Sequence, residues 1–242
     1  MDVYHLPPPE EMDRDDALRF ARDWLNAHRG QKRLVIVPGR RNVGNSPVLI
    51  QIAAQIQTET AQTFRNRAGN LREAAVAVVW PSKETLHRVQ ERRPAKMLIV
   101  PWRVEESQAW LEAHSSTPLA GGRNLDTPSI SDPVVLEAMK SLTSFVNLGN
   151  DLISYDDRDY AIQILRALVT ARRHVNPDEL YGWALANDWE GKGAETLRVL
   201  ATEILDGKRH RIHASSPSLG RDAISWWTQE AENQEPAVPP PS

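Results

Sequence analysis

Residues 34–47 read Leu34-Val35-Ile36-Val37-Pro38-Gly39-Arg40-Arg41-Asn42-Val43-Gly44-Asn45-Ser46-Pro47. The run opens with four consecutive apolar residues. Continuous rather than alternating hydrophobicity suits a strand covered on both faces, as in a parallel sheet. Two more runs of the same kind follow, Val76-Ala77-Val78-Val79 and Met97-Leu98-Ile99-Val100. A stretch with helical patterning succeeds each of them, at about 46–62, 82–92 and 104–114. Strands alternating with helices predict right-handed crossovers, and hence an α/β domain over residues 1–114 with a small three- or four-stranded, mainly parallel sheet. Ahead of the first run, Asp15 or Asp16 is placed to cap a helix with Leu18, Ala21, Trp24 and Leu25 on its apolar side, and Gly30 to end it.

All three runs end at a proline: Val37-Pro38, Trp80-Pro81 and Val100-Pro101. Proline has no N–H to donate, so it stops ladder pairing where it falls. These prolines mark the carboxyl edge of the predicted sheet, where open α/β sheets bind ligands. Just beyond them stand Gly39, Arg40, Arg41 and Asn42, then Ser82 and Lys83, then Trp102 and Arg103. Arg40, Arg41, Lys83 and Arg103 supply positive charge. Ser82 is placed to cap its helix and leave N–H groups free for an anion. Trp102 is placed either to stack on a base or sugar ring or to pack into the core.

Gly39-Arg40-Arg41-Asn42-Val43-Gly44-Asn45-Ser46 resembles a Walker A loop, G-x-x-x-x-G-K-[ST], between a strand and a helix as that motif requires. Asn45 stands where the motif has its lysine, and Pro47 follows the serine. The other two strands lead into Pro-Ser and Pro-Trp, not into an aspartate that would hold magnesium. Without the lysine that contacts the β and γ phosphates, triphosphate hydrolysis is poorly supported. The resemblance implies a phosphate cradle in which Gly39 and Gly44 admit backbone N–H groups and Asn42, Asn45 and Ser46 offer hydrogen bonds.

Residues 115–132 are rich in Gly, Pro, Ser and Thr and read as a linker or long loop. Strand signals cease after it, and residues 133–230 read as a helical domain. Asp132 and Pro133 start its first helix, with Val135, Met139, Leu142 and Val146 on one stripe and Gly149 as a stop. Further helices are expected at about 157–172, from Asn176-Pro177-Asp178-Glu179 to about Asn187, at about 193–206 closed by Gly207, and around Ile224, Trp226 and Trp227. The third and fourth are separated by a short turn, as in a helix-turn-helix, and Lys208, Arg209 and Arg211 follow as a possible nucleic-acid contact. An ordinary bundle hairpin explains the same pattern, because Glu195, Arg198 and Glu203 make a mixed face that suits a groove poorly. Residues 231–242 read as a disordered tail.

Composition narrows the chemistry. The 242 residues include no cysteine, which excludes disulfides, iron–sulfur clusters and thiolate zinc sites. The seven histidines make no H-E-x-x-H pattern, and there is no G-x-S-x-G elbow. Asp156, Asp157 and Asp159 suit either a divalent cation or the capping of the helix they begin. No catalytic residue, metal or cofactor is assigned. Trp24, Trp110, Trp183, Trp226 and Trp227 fall at helical spacings and read as packing residues. No apolar run approaches the roughly 18 residues of a membrane span, and the start lacks a signal-peptide pattern, so a cytoplasmic protein is expected.

Charge is sharply segregated. Residues 1–28 carry three Arg against seven acids, residues 29–103 fourteen Lys/Arg against four, and residues 104–242 twelve against twenty-one. These are nets of −4, +10 and −9, which recover the overall −3. The basic segment should attract anions. The leading expectation is a non-catalytic binding protein for a phosphate-bearing ligand, nucleic acid or nucleotide, at the carboxyl edge of the sheet. Two rivals remain open. One is a nucleotide-processing enzyme with an altered phosphate loop; the other is an adaptor pairing its basic domain with an acidic protein or forming a homodimer.

Overall fold

The computed structural model describes residues 1–66, 69–147 and 152–234. It contains two compact units, Met1–Thr127 and Pro128–Ser242. The first is α/β and the second all-helical, the class the sequence predicts.

The strands of the first unit are β1 (Asp2–His5), β2 (Lys32–Val37), β3 (Gln57–Thr60), β4 (Ala74–Val79), β5 (Lys96–Val100) and β6 (Thr117–Pro118). They form one six-stranded sheet in the order β3-β2-β4-β5-β1-β6, and every pairing is parallel. The three apolar runs are therefore β2, β4 and β5, and they lie side by side, with Val76 opposite both Leu34 and Met97. All six residues of β4 are buried. The sheet is larger than the three or four strands expected, and β1, β3 and β6 have no apolar run. β1 is four residues of mixed polarity, β3 is the polar Gln-Thr-Glu-Thr, and β6 is two residues inside the stretch read as a linker. An edge or short strand buries too little to show an apolar run, so each was invisible to periodicity.

The helices of this unit are α1 (Arg14–Ala27), α2 (Arg40–Gly44), α3 (Pro47–Gln55), α4 (Ala61–Arg65), α5 (Lys83–Glu91) and α6 (Val104–Ala113). Asp13, rather than Asp15 or Asp16, caps α1, its carboxylate accepting the N–H of Asp15 at 2.8 Å. The single helix expected over 46–62 is instead α3, β3 and α4, because Ile56 turns the chain to extended conformation and Gln57–Thr60 pair with β2.

Connection direction decides where ligands fit. From β1 to β2 and from β2 to β3 the chain moves toward the β3 side of the sheet; from β3 through β4 and β5 to β6 it moves the other way. Right-handed crossovers put the two groups of helices on opposite faces. Accordingly α1 and α3 share one core with Val35, Val37, Ala77, Val79, Leu98 and Val100. Connections leaving neighbouring strands thus diverge along the carboxyl edge between β2 and β4, and that divergence opens a crevice.

The second unit contains α7 (Pro133–Phe145), α8 (Tyr155–Thr170), α9 (Pro177–Ala186), α10 (Gly191–Leu205) and α11 (Ala223–Gln234). Its caps are those the sequence indicates: Asp132 for α7 and Asn176 for α9, each with proline in the first turn. Gly149, expected to stop the first helix, lies outside the described residues; α7 ends at Phe145. α11 packs on α7, where the Trp227 indole donates to Ser141 Oγ at 2.9 Å. α11 also runs through Gln234, so residues 231–234, expected in a tail, are helical; residues 235–242 lie outside the described ones. Trp226 is 50% exposed rather than packed.

Beyond the C-cap of α10, Gly207 has φ +81°, its N–H donates to Ile204 O, and the Lys208 N–H donates to Glu203 O. This paired bonding needs a left-handed residue. Gly207→Ala is expected to lower stability by about 1 kcal/mol, read from thermal unfolding, because alanine resists that conformation.

Candidate functional site at the carboxyl edge of the sheet

At the β2/β4 divergence the chain leaves a cleft of about 350 Å3. Its walls come from three connections. Arg14, Asp15 and Leu18 stand in the first turns of α1; Asn42, Asn45 and Ser46 follow β2; Trp80 and Trp102 follow β4 and β5. A neighbouring cavity of about 160 Å3 shares Asn42 and both tryptophans and adds Pro38.

Two tryptophans and one arginine dominate the chemistry. The rings of Trp80 and Trp102 meet edge to face, with centroids 5.1 Å apart and planes at 66°. The guanidinium of Arg14 lies 3.8 Å from the centre of the Trp102 ring. Aromatic faces attract such a cation, and Arg14 forms no ion pair among the described residues. Trp80 has φ 52°, a conformation that costs a bulky residue roughly 1–3 kcal/mol. Its N–H donates to Val100 O at 2.8 Å, which ties the strained residue to the end of β5. The proline that follows it, Pro81, is buried.

The Gly39–Ser46 loop departs from a Walker loop in its backbone. Residues 40–44 close into a helical turn, with the Asn42 N–H donating to Gly39 O and the Asn45 N–H to Arg41 O. Gly39 is extended, and a Cβ there meets only Asn42 Oδ1 at an ordinary 3.6 Å; one at Gly44 meets nothing. Neither glycine is therefore required by contact with a neighbouring part of the chain. Ser46 is the N-cap of α3, its hydroxyl accepting the Leu49 N–H at 3.3 Å. The loop delivers side chains to the cleft, namely Asn42, Asn45 and Ser46.

Of the residues singled out in the sequence, Asn42, Asn45, Ser46 and Trp102 come together at the cleft. Gly39, Arg40, Arg41, Gly44, Ser82, Lys83 and Arg103 do not line it. Ser82 caps α5, accepting the Thr85 N–H at 3.3 Å, as expected. Arg40, Arg41 and Arg103 are exposed near the same edge and form no ion pair among the described residues. Arg14, Asp15, Leu18, Pro38 and Trp80 escaped the sequence reading. Trp80 and Trp102 each adjoin an edge proline, a signal that was present in the sequence. Arg14 required knowing that β1 exists and that α1 starts at the same edge.

The other candidates are differently placed. Lys208 pairs with Glu203, while Arg209 and Arg211 are exposed. On α10, Arg198 bonds Glu195 at 2.5 Å and stands 3.8 Å from Asp178, which leaves a self-neutralised face. Asp159 is occupied by His213 and Ser216, and Asp157 accepts the Asn147 N–H at 3.4 Å. Among the described residues, no three His, Asp or Glu side chains gather as a metal site would need, and no helix is long and apolar enough to cross a membrane.

A family model described as a domain of unknown function (DUF1889) matches residues 131–228, the helical stretch, and leaves the α/β unit unmatched. No curated protein and no solved structure matches the chain.

Proposed function

We propose that the chain is a binding protein for a phosphate-bearing ligand of nucleotide size, held at the β2/β4 crevice without being turned over. The observation that carries this reading is Arg14, a cation without a carboxylate partner among the described residues, beside two tryptophans at a connection divergence. Trp80 and Trp102 offer faces and edges to a planar base, and Arg14 offers charge to a phosphate. Asn42 and Asn45 can orient polar groups of the ligand. Arg40, Arg41 and Arg103 raise the local concentration of anions at the edge. A volume of about 350 Å3 falls in the range of small-molecule pockets and favours a nucleotide over a strand of nucleic acid. Binding rather than hydrolysis is supported by Asn45 in the place of the Walker lysine and by the Ser46 hydroxyl, which is committed to capping.

The test is thermal unfolding with the four ribonucleoside mono- and triphosphates, at low and high salt, on the wild type, Arg14→Ala and Trp102→Ala. Saturable stabilisation by at least one nucleotide is expected, with affinity falling about tenfold or more in each variant. Phosphate release with magnesium should stay at background. No stabilisation by any nucleotide, or an unchanged response in Arg14→Ala, removes the proposal. Stabilisation by short duplex DNA instead, with a steep inverse dependence on salt, would replace it with the nucleic-acid reading.

A further inference from the structure

The α1 wall of the β2/β4 cleft carries charges of both signs. Arg14, Asp15 and Leu18 line it, and they share one face of the helix, since Leu18 lies three residues after Asp15 and four after Arg14. Helical side chains tilt toward the N-terminus of their own helix, so those of the first turn reach out past the start of α1 and over the cleft. Asp15 is half-buried there.

The Asp15 carboxylate is uncommitted. Asp13 caps α1, taking the Asp15 N–H at 2.8 Å and the Asp16 N–H at 3.4 Å, and Asp16 pairs with Arg19 at 2.6 Å. Those two acids already complement the positive end of the helix dipole. Asp15 forms no ion pair among the described residues, its carboxylate accepts no hydrogen bond there, and the adjacent Arg14 lies over Trp102 instead. The side chains of Asn42 and Asn45, across the cleft, likewise have no partner among the described residues. The lining thus offers one positive charge, one negative charge and two neutral amides, and its charges cancel.

A carboxylate has two acceptor oxygens and no donor, so its match is a pair of adjacent donors on the ligand. A nucleotide presents such a pair in two places: the 2′- and 3′-hydroxyls of ribose, and the N1–H and N2 amino group of guanine. Each phosphate beyond the first adds negative charge that Arg14 alone does not offset and that Asp15 repels. We infer that Asp15 sets the specificity of this cleft, accepting an adjacent donor pair and restricting the ligand to a nucleoside monophosphate. This inference rests on the nucleotide reading and names the class of nucleotide.

The test is calorimetric titration of the full chain at fixed ionic strength without magnesium. Adenosine and guanosine monophosphates are compared with their 2′-deoxy forms, with inosine monophosphate, which lacks the guanine amino group, and with their triphosphates. Monophosphates should bind roughly fivefold or more tightly than triphosphates. Removal of one donor should cost about tenfold, at the sugar if Asp15 accepts the diol and at the base if it accepts the guanine edge. Asp15→Asn, nearly isosteric and uncharged, should flatten both preferences. Triphosphates as tight as monophosphates, equal affinity for parent, deoxy and inosine forms, or a donor preference that survives in Asp15→Asn overturns the inference. The first two outcomes are read on the wild type and need no variant to fold. Arg14-dependent binding without these preferences overturns the role of Asp15 and leaves the nucleotide reading standing, whereas no binding by any nucleotide removes both.

Discussion

Asp132→Ala is expected to destabilise the helical unit by about 3 kcal/mol, a fall of roughly 10 °C in its melting transition. The side chain is 9% exposed and performs two tasks. It caps α7, with Oδ1 accepting the N–H groups of Val134 at 2.9 Å and Val135 at 3.4 Å. It also anchors the turn after α8, accepting from Arg173 Nη2 at 2.5 Å and from the His174 N–H at 3.1 Å. Losing a cap costs about 1 kcal/mol, and losing a charged hydrogen-bond partner about 1.5–3. Arg173 is about one-third exposed, so water recovers part of the second loss. Asp132→Asn keeps a capping oxygen and should cost about half as much. Equal losses in the two variants would show that the cap contributes nothing and the charged partner everything.

The same carboxylate dictates a pH dependence. Burial by itself raises the pKa of Asp132, but the donors from Arg173, His174 and Val134 outweigh burial and hold it below the ordinary range. A carboxylate with a depressed folded pKa contributes its stability above the unfolded value of about 3.9, and that contribution fades as pH falls through the folded value. Wild type should therefore lose stability below about pH 4 more steeply than Asp132→Ala.

How far the fold was legible follows the distribution of apolar burial. β2, β4 and β5 announced themselves because they are central, and a strand covered on both faces must be apolar throughout. β1 is as central in position but only four residues long, and Tyr4 and His5 break its run. Its partner β6 has two residues. Their pairing is non-local, Tyr4 with Thr117, and leaves no local pattern to read. In the helical unit the starts of α7 and α9 were visible, because caps and first-turn prolines are local devices.

The site was legible only along the edge. Proline punctuation at Pro38, Pro81 and Pro101 located the carboxyl ends of three strands, and the cleft opens among them. Charge counting pointed to Arg40, Arg41, Lys83 and Arg103, whereas the arginine in the cleft is Arg14, from the acidic N-terminal segment. A tally along the chain cannot see that the first turns of α1 meet the residues that follow β2, β4 and β5, since that placement depends on the pairing of β1 with β5. Likewise the Walker-like spacing predicted glycines serving a backbone cradle, whereas residues 40–44 form a helical turn in which the Asn42 and Asn45 N–H groups are bonded within the loop itself. The strain at Trp80 has no sequence signature at all.

Asp159 is expected to be as sensitive as Asp132, for a different structural reason. It is 1% exposed, and a single oxygen, Oδ2, accepts three donors: the His213 N–H at 2.7 Å, His213 Nδ1 at 2.8 Å and Ser216 Oγ at 2.8 Å. These bonds fix residues 213–216, which have no helix or strand of their own, to the first turns of α8. They also fix the histidine tautomer, since Nδ1 must carry the hydrogen it donates, and Nε2 is left facing away from the carboxylate. Asp159→Ala removes all three acceptances at once and should cost about 2–4 kcal/mol, with amide exchange at His213 accelerating by roughly tenfold or more. Asp159→Asn can still present an oxygen to the donors but buries an amide N–H2 in place of Oδ1, so an intermediate loss is expected. Burial opposes ionisation of Asp159, yet the donors from His213 and Ser216 overcome it and hold the carboxyl below its ordinary range. Its contribution is thus complete above about pH 4 and disappears on acidification, in the same direction as that of Asp132. Asp132 binds the turn that follows α8 and Asp159 stands near the start of α8, and their hydrogen-bond partners are different, so their losses should add in the double variant. A double variant no less stable than either single one would mean that the 213–216 segment and the α7 cap unfold as one piece before the rest of the unit does.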